Sequence, residues 1–300
     1  MNFSEYTDTD LPASHTRRGF VEHTIHEFAE YTEQGSADPS RHESAGYNEH
    51  ESIEHTGHHH GASVLSGFDL KVIACISMVS DHAAKFFHLR GAAELIFSSI
   101  VGRIAFPLFC FLLTEGYFHT HDVKKYTARV LLFALLAEIP FNLMYGSWFF
   151  PEHQNTMFTL GLGLIMFQLI SAVRENAFAP LPSAFLQTAV IAGCSLASYA
   201  LHLDYEWMGI LCLACFYYFN GVMMKKKTDA CFWGCLMLNL NLFDDVGAFL
   251  AMIPVALYNG SRGRQLTSAH GHAAVAKYAF YVFYPAHLLL LALIARLLCV

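Results

Sequence analysis

The sequence predicts an all-α protein: a polytopic transmembrane helical bundle of about nine spans behind a disordered N-terminal tail. Three observations predict it. The chain has 300 residues, 54% of them hydrophobic and 14% charged, where soluble proteins average about a quarter charged. Mean hydropathy is +0.36. The charge is also split: residues 1–66 carry 12 Asp/Glu against 3 Arg and no Lys, and residues 67–300 carry 13 against 15. An acidic tail therefore precedes an apolar body. No basic stripe suited to nucleic acid is present.

Residues 1–66 hold nine of the 18 His and few aliphatic residues. Such a segment buries too little apolar surface to offset its chain entropy, so it reads as a disordered acidic, His-rich tail. It lacks the basic start and apolar centre of a signal peptide. The run His58-His59-His60 reads as a solvated tract, because metal binding needs convergent geometry. No metal site is expected.

From Phe68 onward, apolar runs of roughly membrane-spanning length, about 20 residues, fall near 68–88, 95–118, 128–146, 156–173, 184–201, 207–223 and 279–298. The stretch 229–258 carries Asn239, Asn241, Asp244 and Asp245 at its middle. Four polar groups there are costly in lipid. Two short spans turning around 242–245 avoid the cost and bring the count to nine. Lys124, Lys125, Arg129, Arg174 and Lys225-Lys226-Lys227 mark inner loops, which puts the N-terminus in the cytoplasm. Lys85 and Arg90 in the first outer loop run against this rule. The cysteines have helical spacings and read as small core residues.

Ionisable residues inside spans are expensive and carry the functional expectations. Lys71 and His82 are 11 residues apart, which puts them about 20° from a shared face and roughly 16 Å apart along the axis. Asp81 points about 100° away, toward a different neighbour. His82 suits proton transfer at neutral pH. Arg103 lies in an apolar run and needs a carboxylate or an anionic ligand, and Pro107 is expected to kink that helix. Glu115 and His119 share a face at i,i+4. Glu138, one turn from Asn142 across Pro140, is expected to pair with Arg103 or Arg129. The loop with Asn259, Gly260, Arg262 and Arg264, followed by Lys277, offers glycine flexibility and phosphate-binding cations without Walker spacing. Tyr281 and His287 lie in the final span. Each of these groups also has a structural alternative, as an ion pair, a cap or an interfacial anchor.

In this order, these residues resemble the TraX family of bacterial membrane proteins. The matching stretches are Lys71 through Met78 to Asp81-His82; Gly102-Arg103 with Pro107-Leu108-Phe109; Glu115-Gly116 with His119-Thr120; Tyr126 with Arg129; Glu138 with Pro140-Phe141-Asn142; Asn155 with Phe158-Thr159; Tyr258-Asn259-Gly260 with Arg262-Gly263; and Lys277-Tyr278 with Tyr281, Tyr284-Pro285 and His287-Leu288. The resemblance covers about 71–288 of the 67–300 body. It implies a multi-pass protein of the bacterial cytoplasmic (inner) membrane that acetylates a pilin N-terminal amine. It also implies a distant likeness to membrane acyltransferases that draw on cytoplasmic acetyl-CoA and modify a carbohydrate on the far side. The expected co-substrate is acetyl-CoA, and the expected acceptor is a protein or glycan at the cell surface. From residue chemistry, His82 is the candidate base or acetyl carrier, with Asp81 or Glu138 for charge balance. Arg103, Asn142 or Tyr281 are candidate oxyanion donors. Arg262, Arg264 and Lys277 are candidates for the CoA phosphates. A non-catalytic assembly factor for a surface appendage and a small-solute transporter are the alternatives.

Overall fold

The computed structural model describes residues 64–176, 179–222, 226–241, 245–261, 263 and 273–298, with only the backbone for 273–277. Residues 1–63, which make up most of the expected tail, lie outside the described residues, as do Arg262 and Arg264.

The expected apolar runs form helices. We number these α1 Gly67–Phe86, α2 Ala92–Phe118, α3 Val123–Tyr145, α4 Thr156–Glu175, α5 Pro180–Ala200, α6 Glu206–Cys215 continued by Phe216–Val222, α7 Lys227–Leu238, α8 Val246–Ala256 and α9 Ala273–Leu297. Short polar segments separate them, and successive helices reverse direction. Ser77 and Ser80 on α1 bond to the carbonyls of Val101 and Phe97 on α2, an antiparallel register. Gln168 on α4 reaches Thr127 on α3, and Asn155 reaches the Ala134 carbonyl. Helices α1 and α9 run parallel, since Phe68 meets Phe280 and His82 meets His287. Odd helices therefore start at one end of the bundle, near Leu65 and Tyr258, and even helices start at the other.

Sequence signals set the helix ends. Ser66 caps α1 in a reciprocal box with Asp69. The Asp122 carboxylate accepts from the Lys125 amide at the start of α3, which holds its carboxyl below the usual range. Asn155 caps α4 through the Met157 amide. Leu65 exchanges backbone bonds with Leu257 and Asn259, which ties the start of α1 to the segment after α8.

Among the described residues, five segments are long and apolar enough to cross a membrane: α2, α3, α4, α5 and the Tyr278–Leu297 part of α9. Their outward side chains are bare, with Phe185 73% and Leu135 62% exposed. Apolar faces of this kind belong against lipid. On length and hydropathy the described residues thus give five candidate spans, and the expected count of about nine is not reached. Helix α1 has 20 residues but carries Asp69, Lys71, Asp81 and Lys85. Helix α7 has 12 residues, too few for a bilayer core about 30 Å thick at 1.5 Å per residue. The two-helix arrangement of the 229–258 region is present, with polar Asn239 and Asp245 at its turn.

Pro107 does not break a regular helix as expected. The irregularity lies ahead of it: α2 is π-helical over Leu95–Val101 and 3-10 over Gly102–Ile104, and becomes α-helical only from Ala105. Pro107 thus stands in a first turn, where no N–H is required. The Ser77 hydroxyl satisfies the Val101 carbonyl at 2.6 Å. Winding changes of this kind are frequent at functional sites.

Candidate functional site

The candidate residues gather at the two ends of the bundle rather than in one chamber. At the end where even helices begin, the rings of His82 and His287 meet edge to edge and nearly coplanar, 17° between planes with centroids 5.1 Å apart, and His82 Nδ1 lies 2.8 Å from His287 Nε2. Both are buried. Lys71, about three turns earlier on the same face, lies over Phe280 of the same partner helix α9, so the shared-face expectation holds. His287 Nδ1 lies 2.9 Å from the Phe283 carbonyl. Tyr284 stands edge-on to both imidazoles.

Asp81 points away from the pair, as its angle requires. It accepts from the Lys85 ammonium at 2.6 Å and from the Ser98 hydroxyl of α2 at 2.5 Å. Lys85 thus belongs to the last turn of α1 and neutralises Asp81, which accounts for a cation that loop counting treats as an exception. Arg103 finds its carboxylate in Asp245, 2.8 Å away, in the turn before α8. Glycine makes both contacts possible. A Cβ on Gly102 would stand 2.6 Å from Asp81 Cβ, and one on Gly247 would stand 2.4 Å from the Ser99 carbonyl oxygen.

Glu138 pairs with neither arginine. Its carboxylate takes the Asn155 amide at 2.6 Å, because α3 and α4 are antiparallel neighbours and Asn155 opens α4 beside it. Asn142 is buried one turn on and donates to the Trp148 carbonyl at 3.4 Å. Arg129 lies against Tyr281 and over the Tyr126 ring. Tyr281 stacks on Phe133 of α3, so it belongs to a separate α3–α9 contact rather than to the histidine pair. The phenol that does stand at the histidines is Tyr284.

Sequence reasoning passed over Asp204 and Tyr205. Asp204 accepts the Thr156 hydroxyl through its side chain and the Thr159 hydroxyl through its carbonyl. Tyr205 stacks on Phe106 at 3.9 Å and lies beside Arg103. Tyr205 and Glu206 both have positive φ, at 62° and 43°. Two consecutive non-glycine residues in that region are costly, and such strain clusters at functional sites. The only sequence signal is a short polar loop, 202–206, between apolar runs.

The other end holds a cavity of about 590 Å³ lined by Phe111, Glu115, Asn220, Lys226, Lys227, Thr228, Tyr258, Asn259 and Gly260. Gly260 has φ +79°, with open space where a side chain would stand. Asn259 folds the loop by accepting the Ser261 amide at 2.9 Å. The Glu115 carboxylate accepts from the Asn220 amide at 2.8 Å, and Asn220 sits on the π-helical part of α6. His119 bonds to the Glu115 backbone carbonyl, so this pair meets through the main chain rather than through two side chains. Lys227 Nζ donates to the Tyr258 carbonyl and lies 5.6 Å from that ring. Lys226 and Lys227 are the cations missed at this site, because as loop charges they read only as topology markers. Lys277 contributes its backbone to α9 and its side chain lies outside the described residues, as do Arg262 and Arg264.

With this geometry in place, comparison with known proteins adds a family. The family model described as TraX protein matches residues 66–295. The chain is 32% identical over 245 residues to the "Probable fimbrial assembly protein FimC, serogroup H1" of Dichelobacter nodosus; the alignment covers 75% of this chain and 94% of that relative. No solved structure matches.

Proposed function

This chain belongs to the TraX protein family, and from that premise we propose that it is an integral membrane acetyltransferase working on a surface appendage. In this reading it moves an acetyl group from acetyl-CoA to an amine or hydroxyl of a pilin-like subunit or surface glycan. The observation that carries the reading is the buried imidazole pair His82–His287 on two parallel helices of a membrane bundle. Neither imidazole is paired with a carboxylate, and a ring nitrogen with a free lone pair is a proton acceptor. The fimbrial assembly role in the relative's name supports an appendage subunit as the acceptor class.

The cavity residues fit the phosphate-bearing end of the co-substrate. Lys226 and Lys227 supply cations, Gly260 leaves the backbone open to close approach, and Phe111 and Tyr258 offer ring faces. His82 lies about 22 Å along α1 from Gly67, at 1.5 Å per residue. Donor binding and proton removal are thus assigned to opposite ends. Positive loop charge assigns the cavity end to the cytoplasm and the histidine end to the far side of the inner membrane. In this reading only the phosphates of acetyl-CoA sit at the cavity, and its extended pantetheine arm carries the thioester to the histidine end, where His82 takes the acceptor's proton as the acceptor forms its bond to the acetyl carbon. The C–S bond then breaks, and the proton passes to the thiolate. Arg103 and Asn142 are the candidate donors to the oxyanion, and Asp81 holds charge balance with Lys85.

A second reading has its own support. Asp81–Lys85 and Arg103–Asp245 are mutually neutralised, and the interior along α1 is filled by fully buried Leu70, Ala74 and Leu108. A rigid, paired interior suits an assembly factor without turnover. Purified protein in lipid, given labelled acetyl-CoA and the appendage subunit from the same cell, separates the readings. Transfer of label to the subunit, lost in His82→Ala, supports the enzyme. Binding without transfer supports the assembly factor, and neither binding nor transfer supports a small-solute transporter.

A further inference from the structure

We propose that His287 is a positioning residue that fixes His82 as the Nδ1–H tautomer and leaves Nε2 as its basic atom. The proton assignments follow from the partners. The Phe283 carbonyl is an acceptor only, so the His287 Nδ1 at 2.9 Å from it carries the hydrogen and donates. In the neutral ring, Nε2 of His287 then bears a lone pair. That lone pair faces His82 Nδ1 at 2.8 Å, so His82 Nδ1–H donates to it. The remaining nitrogen of His82, Nε2, is left unprotonated, and among the described residues no group bonds to it.

The arrangement is a relay: Phe283 carbonyl, His287, His82. It does for His82 what a carboxylate does for the base of a hydrolytic triad, choosing the tautomer and the ring orientation. The adjacent carboxylate does not take that role, because Asp81 is turned to Lys85 and Ser98. Packing locks the second imidazole. His287 lies between the Phe283 ring, 5.1 Å away and nearly parallel, and the His82 ring, with Tyr284 edge-on. When His82 Nε2 takes a proton, the Nδ1–H bond to His287 becomes charge-assisted and strengthens. The inference takes from the acetyltransferase reading only that this atom receives the acceptor's proton; the tautomer itself rests on geometry.

The test uses the full chain with ¹⁵N-labelled histidine in lipid bilayers, observed by solid-state NMR at neutral pH. His82 signals are identified by their loss in His82→Gln. The expected result is a protonated Nδ1 and a bare Nε2 on His82, with a coupling across the bond to His287 Nε2. In His287→Phe, which keeps an aromatic ring and removes the acceptor, His82 shifts toward the Nε2–H form. Acetyl transfer by that variant falls at least about 100-fold, in the usual range for losing a general base. His287→Gln, which restores an acceptor, recovers part of it. A wild-type His82 carrying its proton on Nε2, or a tautomer unchanged in His287→Phe, overturns the inference. If the tautomer is as assigned but no acceptor is acetylated, the enzyme reading fails and the tautomer assignment stands.

Discussion

Arg103 and Asp245 are 2.8 Å apart across the joint between α2 and the turn that opens α8. The pair ties the one part of α2 that is not regularly wound to the polar turn that divides the 229–258 region. Both side chains are largely shielded, at 26% and 12% exposure, and the arginine has little water to fall back on.

Removing one partner should therefore cost more than the pair itself contributes. Asp245→Ala is expected to lower stability by about 3 kcal/mol, because it leaves a guanidinium without its counter-charge. The double change Arg103→Met with Asp245→Leu should recover most of that loss. Thermal unfolding in detergent checks both, and equal destabilisation by the single and double variants contradicts the argument.

Gly247→Ala probes the same joint from the backbone. The added methyl would meet the Ser99 and Ile100 carbonyl oxygens at 2.4 and 2.6 Å, and neither is free to swing away. An overpacking cost of about 1–3 kcal/mol is expected. Gly193, with nothing within 4 Å of a Cβ, is the control, and Gly193→Ala should leave the melting temperature nearly unchanged.

Asn155 serves three partners at once: the Met157 amide, the Ala134 carbonyl and the Glu138 carboxylate. Asn155→Ala removes a helix cap and strands two acceptors, for an expected loss of about 1–3 kcal/mol. Asn155→Asp keeps the cap but sets a second carboxylate against Glu138, so its stability should fall further as pH rises through the carboxylate range. A flat pH response for that variant would show that Glu138 and residue 155 do not share the contact.

At the cavity, Lys226→Ala should weaken binding of CoA about tenfold, with the difference shrinking at high salt as exposed charges are screened. Lys226 is the cleaner probe because its described contact is a 3.9 Å pair with Asp229. Lys227 also holds the Tyr258 carbonyl. Calorimetric titration of CoA into the lipid-embedded protein reads the effect. Unchanged affinity would remove this cavity from donor binding.

The sequence by itself determined the helical order, because each apolar run is bounded by polar or capping residues whose local preferences suffice: Ser66 with Asp69, Asp122 and Asn155. It also determined that Lys71 and His82 share a face, since helical periodicity alone fixes that angle. It flagged Arg103 and Glu138 as needing partners without saying which ones. Tertiary packing alone decided those partners. Asp245 and Asn155 come from elements that one-dimensional spacing does not bring near, and each was first visible only as a turn residue or a cap. Packing also decided that the candidates divide between two ends, because antiparallel helices return alternate loops to opposite faces of the bundle. The meeting of His82 with His287, 205 residues apart, is the extreme case: two helices must lie side by side before either imidazole has a defined tautomer.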